Sequence, residues 1–317
     1  MKLKKIVNFY PSFEKGGVEK ILINLIKYFI NQRIFVSIIS TIPKNELPKS
    51  KLLNLIKINK SKPSFLSNRV NKALIASKLL KSYLEKNNSK DTIVFSLQSS
   101  SLAIMVSKYC GFKIVARNAE DPIYSTLFAD ERVLSIITLL SKIFTYNFAD
   151  GIITNSIGSK NSLNKILFNK RKTISIYNPY LSKIYRYNNS SLKKNFILSV
   201  GRLTKQKDHK TLIRAIKVLN EKKIYLNLKI LGDGELKKNL KNLVEELQLN
   251  KQIKFYGWKT NTAIFFKRAK LFVLSSLYEG FGNVLVDAIN YQVPIITTNC
   301  KSGPTEIILN NKGGFIT

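Results

Sequence analysis

Short runs of β-branched and apolar residues alternate along the whole chain with stretches whose apolar residues recur every three or four positions. This alternation constrains the fold more than any other feature. The runs at 5–9, 34–40, 92–97, 113–116, 151–155 and 173–177 read as strands, and a second series follows at 196–200, 226–231, 252–256, 271–275 and 294–298. Several are almost continuously apolar, as strands covered on both faces must be. Between them Val18, Ile21, Leu22, Leu25 and Phe29 share one helix face. Leu212, Ala215, Ile216 and Leu219 share another, and Leu236, Leu240, Leu243, Val244 and Leu247 a third. Strand-helix-strand repetition of this kind predicts parallel sheets with helices on both faces.

The rhythm breaks once. Residues 178–195 hold Pro179, several asparagines and the pair Ser190-Ser191, the composition of a connection. The expected organisation is a Rossmann-like domain over 1–178, a linker over 179–195 and a second Rossmann-like domain over 196–317. At 317 residues and 44% hydrophobic content the chain can bury two cores.

Charge narrows the partners only in part. Lys and Arg number 53 against 19 Asp and Glu, a formal net charge of +34. Such a balance favours anionic partners. A coding bias toward lysine, asparagine and isoleucine would give the same totals. The cations are spread over both halves with no arginine-rich arm, which argues against a nucleic-acid binder. Cys110 and Cys300 lie far apart and the chain has one histidine, so no metal site and no zinc are expected, and a reducing compartment fits. The apolar stretch 133–148 is too short and too polar to cross a bilayer, and reads as a buried or interfacial helix.

Four segments carry candidate chemistry. Phe13 to Glu19 contains Gly16-Gly17 between the first strand and first helix, where a backbone can approach an anion closely. The same pair also serves as an ordinary turn. Gly201-Arg202 to Lys207 follows a strand in the same way. There Arg202 offers a planar fork and Lys207 a point charge to phosphate oxygens. The stretch Ser275 to Ala288 is the most specific. Glu279 sits in a glycine-containing loop, a helix starts near Asn283, and Asp287 lies about one turn inside it. Two acids flanking a helix N-terminus suit hydroxyl groups at either end of a diphosphate. Gly303-Pro304-Thr305-Glu306 reads as a capped helix start, and capping alone accounts for it.

Taken in order, Gly16-Gly17, Gly201-Arg202, Lys207, Gly232-Asp233-Gly234, Glu279-Gly280-Phe281 and Gly303-Pro304-Thr305-Glu306 resemble the family-4 retaining glycosyltransferases, also called glycosyl transferases group 1. The resemblance spans nearly the whole chain and is densest from Phe196 to Ile308. Glu279 to Asp287 resembles that family's Glu-x7-Glu motif, with Asp287 in place of the second glutamate. Asn299-Cys300 with Gly303-Pro304 resembles members that build bacterial surface or lipid-linked glycans, often with N-acetylhexosamine donors.

The resemblance implies a GT-B fold, two facing Rossmann-like domains with an interdomain active-site cleft, and transfer of a sugar from a nucleotide-sugar donor, UDP-linked by preference, to a lipid-linked or surface-glycan acceptor. It implies Arg202 and Lys207 on the donor diphosphate, Glu279 on the donor sugar, and Asp287 on the ribose. Gly201 and the segment Phe281, Gly282, Asn283 and Val284 would line the donor, with Gly16 and Gly17 closing over it. Arg117 or Asn118 would occupy the acceptor side, where many relatives carry a histidine. His209, at a helix start, is expected as a capping or surface residue. No cofactor is implied, since the nucleotide-sugar is a substrate. Relatives continue past the position of Thr317, so a C-terminal domain cut short is the expectation.

A basic apolar segment, 65–86, reads first as a packed helix of the first domain and second as a surface for an anionic membrane. Cytoplasmic placement, peripheral on the inner face of the membrane, is expected with it. Two alternatives stay open: a GT-B sugar-nucleotide epimerase, disfavoured by the scarcity of histidine, and a non-catalytic glycosyltransferase-like partner, disfavoured by Arg202, Lys207 and Glu279 all being present.

Overall fold

The computed structural model describes residues 4–13, 16–58, 68–87, 90–129, 131–181, 183–185, 195–300, 302–309 and 313–317, without the side chains at 69 and 171. It divides into two compact units, Met1–Tyr180 and Leu181–Thr317.

In the first unit the elements run β1 (Lys5–Tyr10), α1 (Gly17–Asn31), β2 (Phe35–Ser40), β3 (Leu53–Lys57), α2 (Asn68–Glu85), β4 (Thr92–Ser96), α3 (Ser100–Tyr109), β5 (Lys113–Asn118), α4 (Pro122–Leu127), α5 (Arg132–Tyr146), β6 (Gly151–Thr154), α6 (Ile157–Asn164) and β7 (Thr173–Ser175). The strands form one parallel sheet in the order β3-β2-β1-β4-β5-β6-β7. Period-two alternation sends Val7 and Phe9 into the core on one face of the sheet, and Ile6 and Tyr10 into the core on the other. Each core side chain of that size contributes roughly 1.5–3 kcal/mol on burial.

The second unit runs β8 (Phe196–Val200), α7 (His209–Glu221), β9 (Leu228–Leu231), α8 (Lys237–Glu246), β10 (Ile253–Phe255), α9 (Ala263–Arg268), β11 (Ala269–Leu274), α10 (Asn283–Asn290), β12 (Ile295–Thr297), α11 (Pro304–Ile307) and β13 (Phe315–Ile316). Its six strands are parallel in the order β10-β9-β8-β11-β12-β13. Phe196 and Leu198 face one core and Ile197 the other.

Part of the 179–195 stretch is tied down. Asn24 donates to the Pro179 carbonyl at 2.7 Å and Lys20 to the Tyr180 hydroxyl at 3.1 Å, which fixes both residues to the first unit. In the second unit the Tyr185 amide donates to Asn290 Oδ1 at 2.9 Å. The Tyr185 ring lies 5.0 Å from that of Tyr291, the C-cap of α10. Residues 186–194 lie outside the described set.

One expectation needs amending, and two open readings are narrowed. Strand β3 is not among the expected strands: its sequence LNLIK interleaves Asn54 and Lys57 with apolar residues, and as an edge strand it is only half covered. Helix α2 is a packed helix. Ala73, Ala76, Leu80 and Leu84 are buried, with Ile75, Leu79 and Tyr83 packed against the same core, while Leu74 is exposed; Phe65 lies outside the described residues. Helix α5, expected to be buried or interfacial, is not buried: most of its apolar side chains stand in solvent. No helix among the described residues is long and apolar enough to cross a membrane.

Candidate active site

In the second unit β8 lies between β9 and β11, so the direction of winding reverses between β8 and β11. A parallel sheet opens a crevice at the carboxyl ends of its strands at such a point. Two loops leave the strands there, 201–208 from β8 and 275–282 from β11, and they hold the charged residues singled out above.

Glycines bring the backbones together. Gly232, at φ +137°, has no room for a side chain, because a Cβ would stand 1.8 Å from the Gly201 carbonyl oxygen. A Cβ on Gly234 would stand 2.5 Å from the Leu203 carbonyl oxygen. The stem of Lys207 runs over Gly201, where a Cβ would come within 3.3 Å of it.

The Lys207 ammonium donates to Oε1 of Glu279, and the Ser276 hydroxyl donates to the same oxygen at 2.7 Å. Both charged side chains are largely buried, at 13% and 7% exposure. The two loops are stitched by further bonds. Ser275 Oγ donates to the Lys207 carbonyl at 2.9 Å, the Leu277 amide to the Gln206 carbonyl at 2.8 Å, and Gln206 Nε2 to the Tyr278 carbonyl at 3.1 Å. Behind them Cys300 Sγ donates to the Ser276 carbonyl at 3.1 Å. Burial pushes that thiol up to about 11, so it keeps its proton at neutral pH.

Arg202 behaves differently from Lys207. It is exposed, and its Nη2 donates to Gln206 Oε1 at 3.3 Å. The loops thus bring Lys207 to Glu279, and leave Arg202 at the rim. Gly282, at φ +93°, is the N-cap of α10, which Asn283 and Val284 open; Phe281 is buried just before it. The leading amides of a helix point along its axis toward such a loop. Gly303, at φ +80°, packs directly on Phe281, whose carbonyl oxygen would be 2.3 Å from an added Cβ. Asp287 is buried on α10. Burial and then the Asp287 charge push the Tyr291 phenol up.

His209 is neither a cap nor a surface residue. It is the first residue of α7 and 2% exposed, while Asp208 caps the helix by accepting from the Thr211 amide at 3.3 Å. Burial, and then the Lys207 charge, hold its imidazole down to about 4.

The first unit has its own polar cluster at the carboxyl ends of β1 and β5. Gly16 is the N-cap of α1 and Gly17 its first residue; Glu14 and Lys15 lie outside the described residues. The Tyr10 hydroxyl donates to Glu19 Oε1 at 2.6 Å, both groups being buried. Arg117 is 6% exposed, and its Nη2 donates to Asn178 Oδ1 at 2.8 Å. Its Nη1 is buried with no partner among the described residues. Burial lowers the guanidinium to about 10, so it stays charged at neutral pH. The Asn118 amide donates to the Glu120 carbonyl at 2.6 Å.

Sequence reasoning missed Ser276, Gln206, Glu19 and Asn178. Only Glu19 carried a readable sign. It stands three and seven residues before the buried Leu22 and Ile26, on the inward face of α1.

Likeness to known proteins agrees with this geometry. Residues 183–317, all within the second unit, match the family described as "Glycosyl transferases group 1". A Campylobacter jejuni protein, N-acetylgalactosamine-N,N'-diacetylbacillosaminyl-diphospho-undecaprenol 4-alpha-N-acetylgalactosaminyltransferase, is 28% identical over 99% of this chain and 86% of its own length. A Methanocaldococcus jannaschii glycosyltransferase is 35% identical over 56% of this chain, which spans about half of that relative, 47%. The crystal structure of Anabaena HepE in complex with UDP and glucose superimposes with a TM-score of 0.74 at 18% identity, covering 99% of this chain and 85% of that one. The GT-B class of fold therefore stands for this chain, and its residues 183–317 resemble the group 1 family.

Proposed function

We propose that this protein is a retaining glycosyltransferase of the group 1 kind that moves a sugar from a UDP-sugar to a lipid-linked or surface-glycan acceptor at the inner face of the cytoplasmic membrane, with neither metal nor cofactor. One observation carries the reading: a buried lysine and a buried glutamate meet at the carboxyl ends of β8 and β11, where the parallel sheet opens its crevice. The Campylobacter relative's name, with its diphospho-undecaprenol acceptor, and the UDP in the Anabaena complex support the choice of acceptor and donor.

In this reading the Lys207–Glu279 pair is a resting arrangement that the donor divides. A diphosphate oxygen takes the Lys207 ammonium, and the donor sugar's hydroxyls donate to the freed Glu279 carboxylate. Arg202, exposed at the rim, adds its fork to the same diphosphate. Gly201 and the segment Phe281, Gly282, Asn283 and Val284 line the donor, Asp287 accepts from the ribose, and Gly16 and Gly17 admit the diphosphate closely at the start of α1. Arg117 and Asn118 serve the acceptor. As the bond from the anomeric carbon to the phosphate oxygen breaks, the electron pair leaves with the diphosphate. Lys207 and Arg202 stabilise that charge, which is where preorganised cations act most strongly. The acceptor hydroxyl attacks from the same face and gives its proton to the departing phosphate, so configuration is retained.

The test is release of free nucleoside diphosphate from a panel of UDP- and GDP-sugars, with wild type beside Glu279→Ala and Arg202→Ala. Release from one donor, lost in both variants, is the expected result. No release with lipid-linked acceptors present, together with no UDP binding, would overturn the proposal in favour of a non-catalytic partner.

A further inference from the structure

Helix α5 is amphipathic in the wrong sense for a helix of a water-soluble domain. Val133, Ile136, Ile137, Leu140 and Phe144 recur at the spacing of a single helix face and are all 49% exposed or more, with Val133 at 74% and Phe144 at 76%. Polar side chains lie on the other side. Ser135, Thr138 and Lys142 line a pocket of about 260 Å³ shared with Glu120, Ser125 and Thr126 from the α4 region. Leu134 and Leu139 line the same pocket, but the larger apolar row from Val133 to Phe144 faces solvent.

The patch continues beyond the helix, and it has a charged border. Phe148 follows at 62% exposure and Leu127, at the end of α4, at 62%. Asn147, the C-cap of α5, holds the segment after α6 by accepting from the Phe168 amide at 3.0 Å and the Asn169 amide at 3.2 Å. Phe168 is 88% exposed. Lys165 and Lys170 are exposed on either side of it, and Lys172 reaches the Asn147 carbonyl at 3.5 Å. Residues 151–180 carry five Lys and Arg and no acid, and residues 1–180 carry 29 against 10.

We propose that the outward face of α5, extended by Phe148 and Phe168 and bordered by Lys165 and Lys170, docks the protein on an anionic lipid bilayer. An exposed apolar helix face, with exposed lysines in the segment tied to its C-cap, matches the two layers of a membrane interface, apolar side chains entering the acyl boundary and lysines meeting anionic headgroups. Charge complementarity selects this occupant: a second copy of a chain with net charge +34 would bring like charge to the same border. The inference concerns binding alone and stands independently of the proposed reaction. It also moves the membrane-facing surface from α2, whose apolar residues are mostly packed inward, to α5.

The experiment is co-sedimentation of the full chain with vesicles of phosphatidylcholine alone and of phosphatidylcholine mixed with phosphatidylglycerol. Wild type is expected to sediment with the mixed vesicles. The double variant Ile137→Gln, Leu140→Gln changes no charge and is expected to weaken binding about tenfold or more. Lys165→Gln with Lys170→Gln is expected to abolish the preference for the anionic vesicles, and Leu74→Gln on α2 to change nothing. Circular dichroism confirms that each variant folds. Equal sedimentation of wild type and the α5 variant overturns the proposal. So does loss of binding in Leu74→Gln alone, or a wild-type dimer in gel filtration that the α5 variant abolishes with no vesicle binding in either.

Discussion

The Ser276 hydroxyl stands 2.7 Å from Oε1 of Glu279, on the oxygen that Lys207 also occupies. One carboxylate oxygen thus receives a neutral and a charged donor, while the lone pairs of Oε2 lie outside these two bonds. A carboxylate so held is oriented before any ligand arrives, and the cation beside it is spared the cost of standing unpaired in a dry site.

Removing the carboxylate uncovers that cost. Glu279→Ala leaves the Lys207 ammonium buried without its partner, and is expected to destabilise the second unit by about 3 kcal/mol. Donor turnover should fall by about two orders of magnitude or more. Urea unfolding and nucleoside diphosphate release measure the two effects separately. A stability equal to wild type would mean that the pair is not maintained in solution.

Ser276→Ala removes one donor and keeps the ion pair. The expected loss is about 1 kcal/mol of stability. Donor KM should rise several-fold with a smaller change in kcat, because Glu279 is then held by Lys207 alone. Steady-state kinetics with the active donor decides it; an unchanged KM would remove Ser276 from the positioning role.

Two glycines with positive φ separate space from strain. Gly257→Ala, at φ +66° with nothing within 4 Å of the new Cβ, pays only for the backbone conformation, about 1–2 kcal/mol. Gly232→Ala drives a methyl into the Gly201 carbonyl and is expected to cost well over that, about 3 kcal/mol or more, or to yield insoluble protein. Denaturant midpoints of the two variants compare them directly.

The single histidine makes an acid limb easy to read. Burial lowers His209 to about 4 from an ordinary value of 6.5. The unfolded chain therefore binds a proton first as pH drops, and stability falls between pH 6.5 and about 4, where the folded imidazole also titrates. The contribution lost across that window is about 3 kcal/mol. His209→Gln should flatten this part of the stability profile measured by thermal melts against pH. A profile of unchanged slope would show that the imidazole is hydrated when folded.

What the chain order revealed and what it concealed divide along physical lines. Central strands such as β1 and β11 are near-continuous apolar runs, and burial on both faces forces that composition, so they were legible. β3 and the two-residue β13 sit at sheet edges, where coverage is partial and composition relaxes toward that of loops. The loops holding Arg202, Lys207 and Glu279 stood out because glycine and charge coincide at strand ends. The pairing of Lys207 with Glu279 did not, since it joins residues 72 apart through the adjacency of β8 and β11. Ser276 was hidden for the same reason: a serine after a strand has many uses, and only the folded loop aims its hydroxyl at Glu279. His209 was misplaced because its position at a helix start said nothing of how deeply the fold buries it. For α5 the sequence left burial and an interface both open, because an apolar row does not say which way a helix turns it.

The contact between Gly232 and the Gly201 carbonyl also sets limits on how this protein can be changed. Two loops that meet backbone to backbone cannot be varied one at a time, because any side chain at 232 or 234 forces the first loop to move and carries Lys207 with it. A mutational library seeking a new sugar preference should therefore hold 201, 232 and 234 constant together with Ser276, Glu279 and Phe281, and place its diversity at their exposed neighbour Leu277 and the adjoining Tyr278.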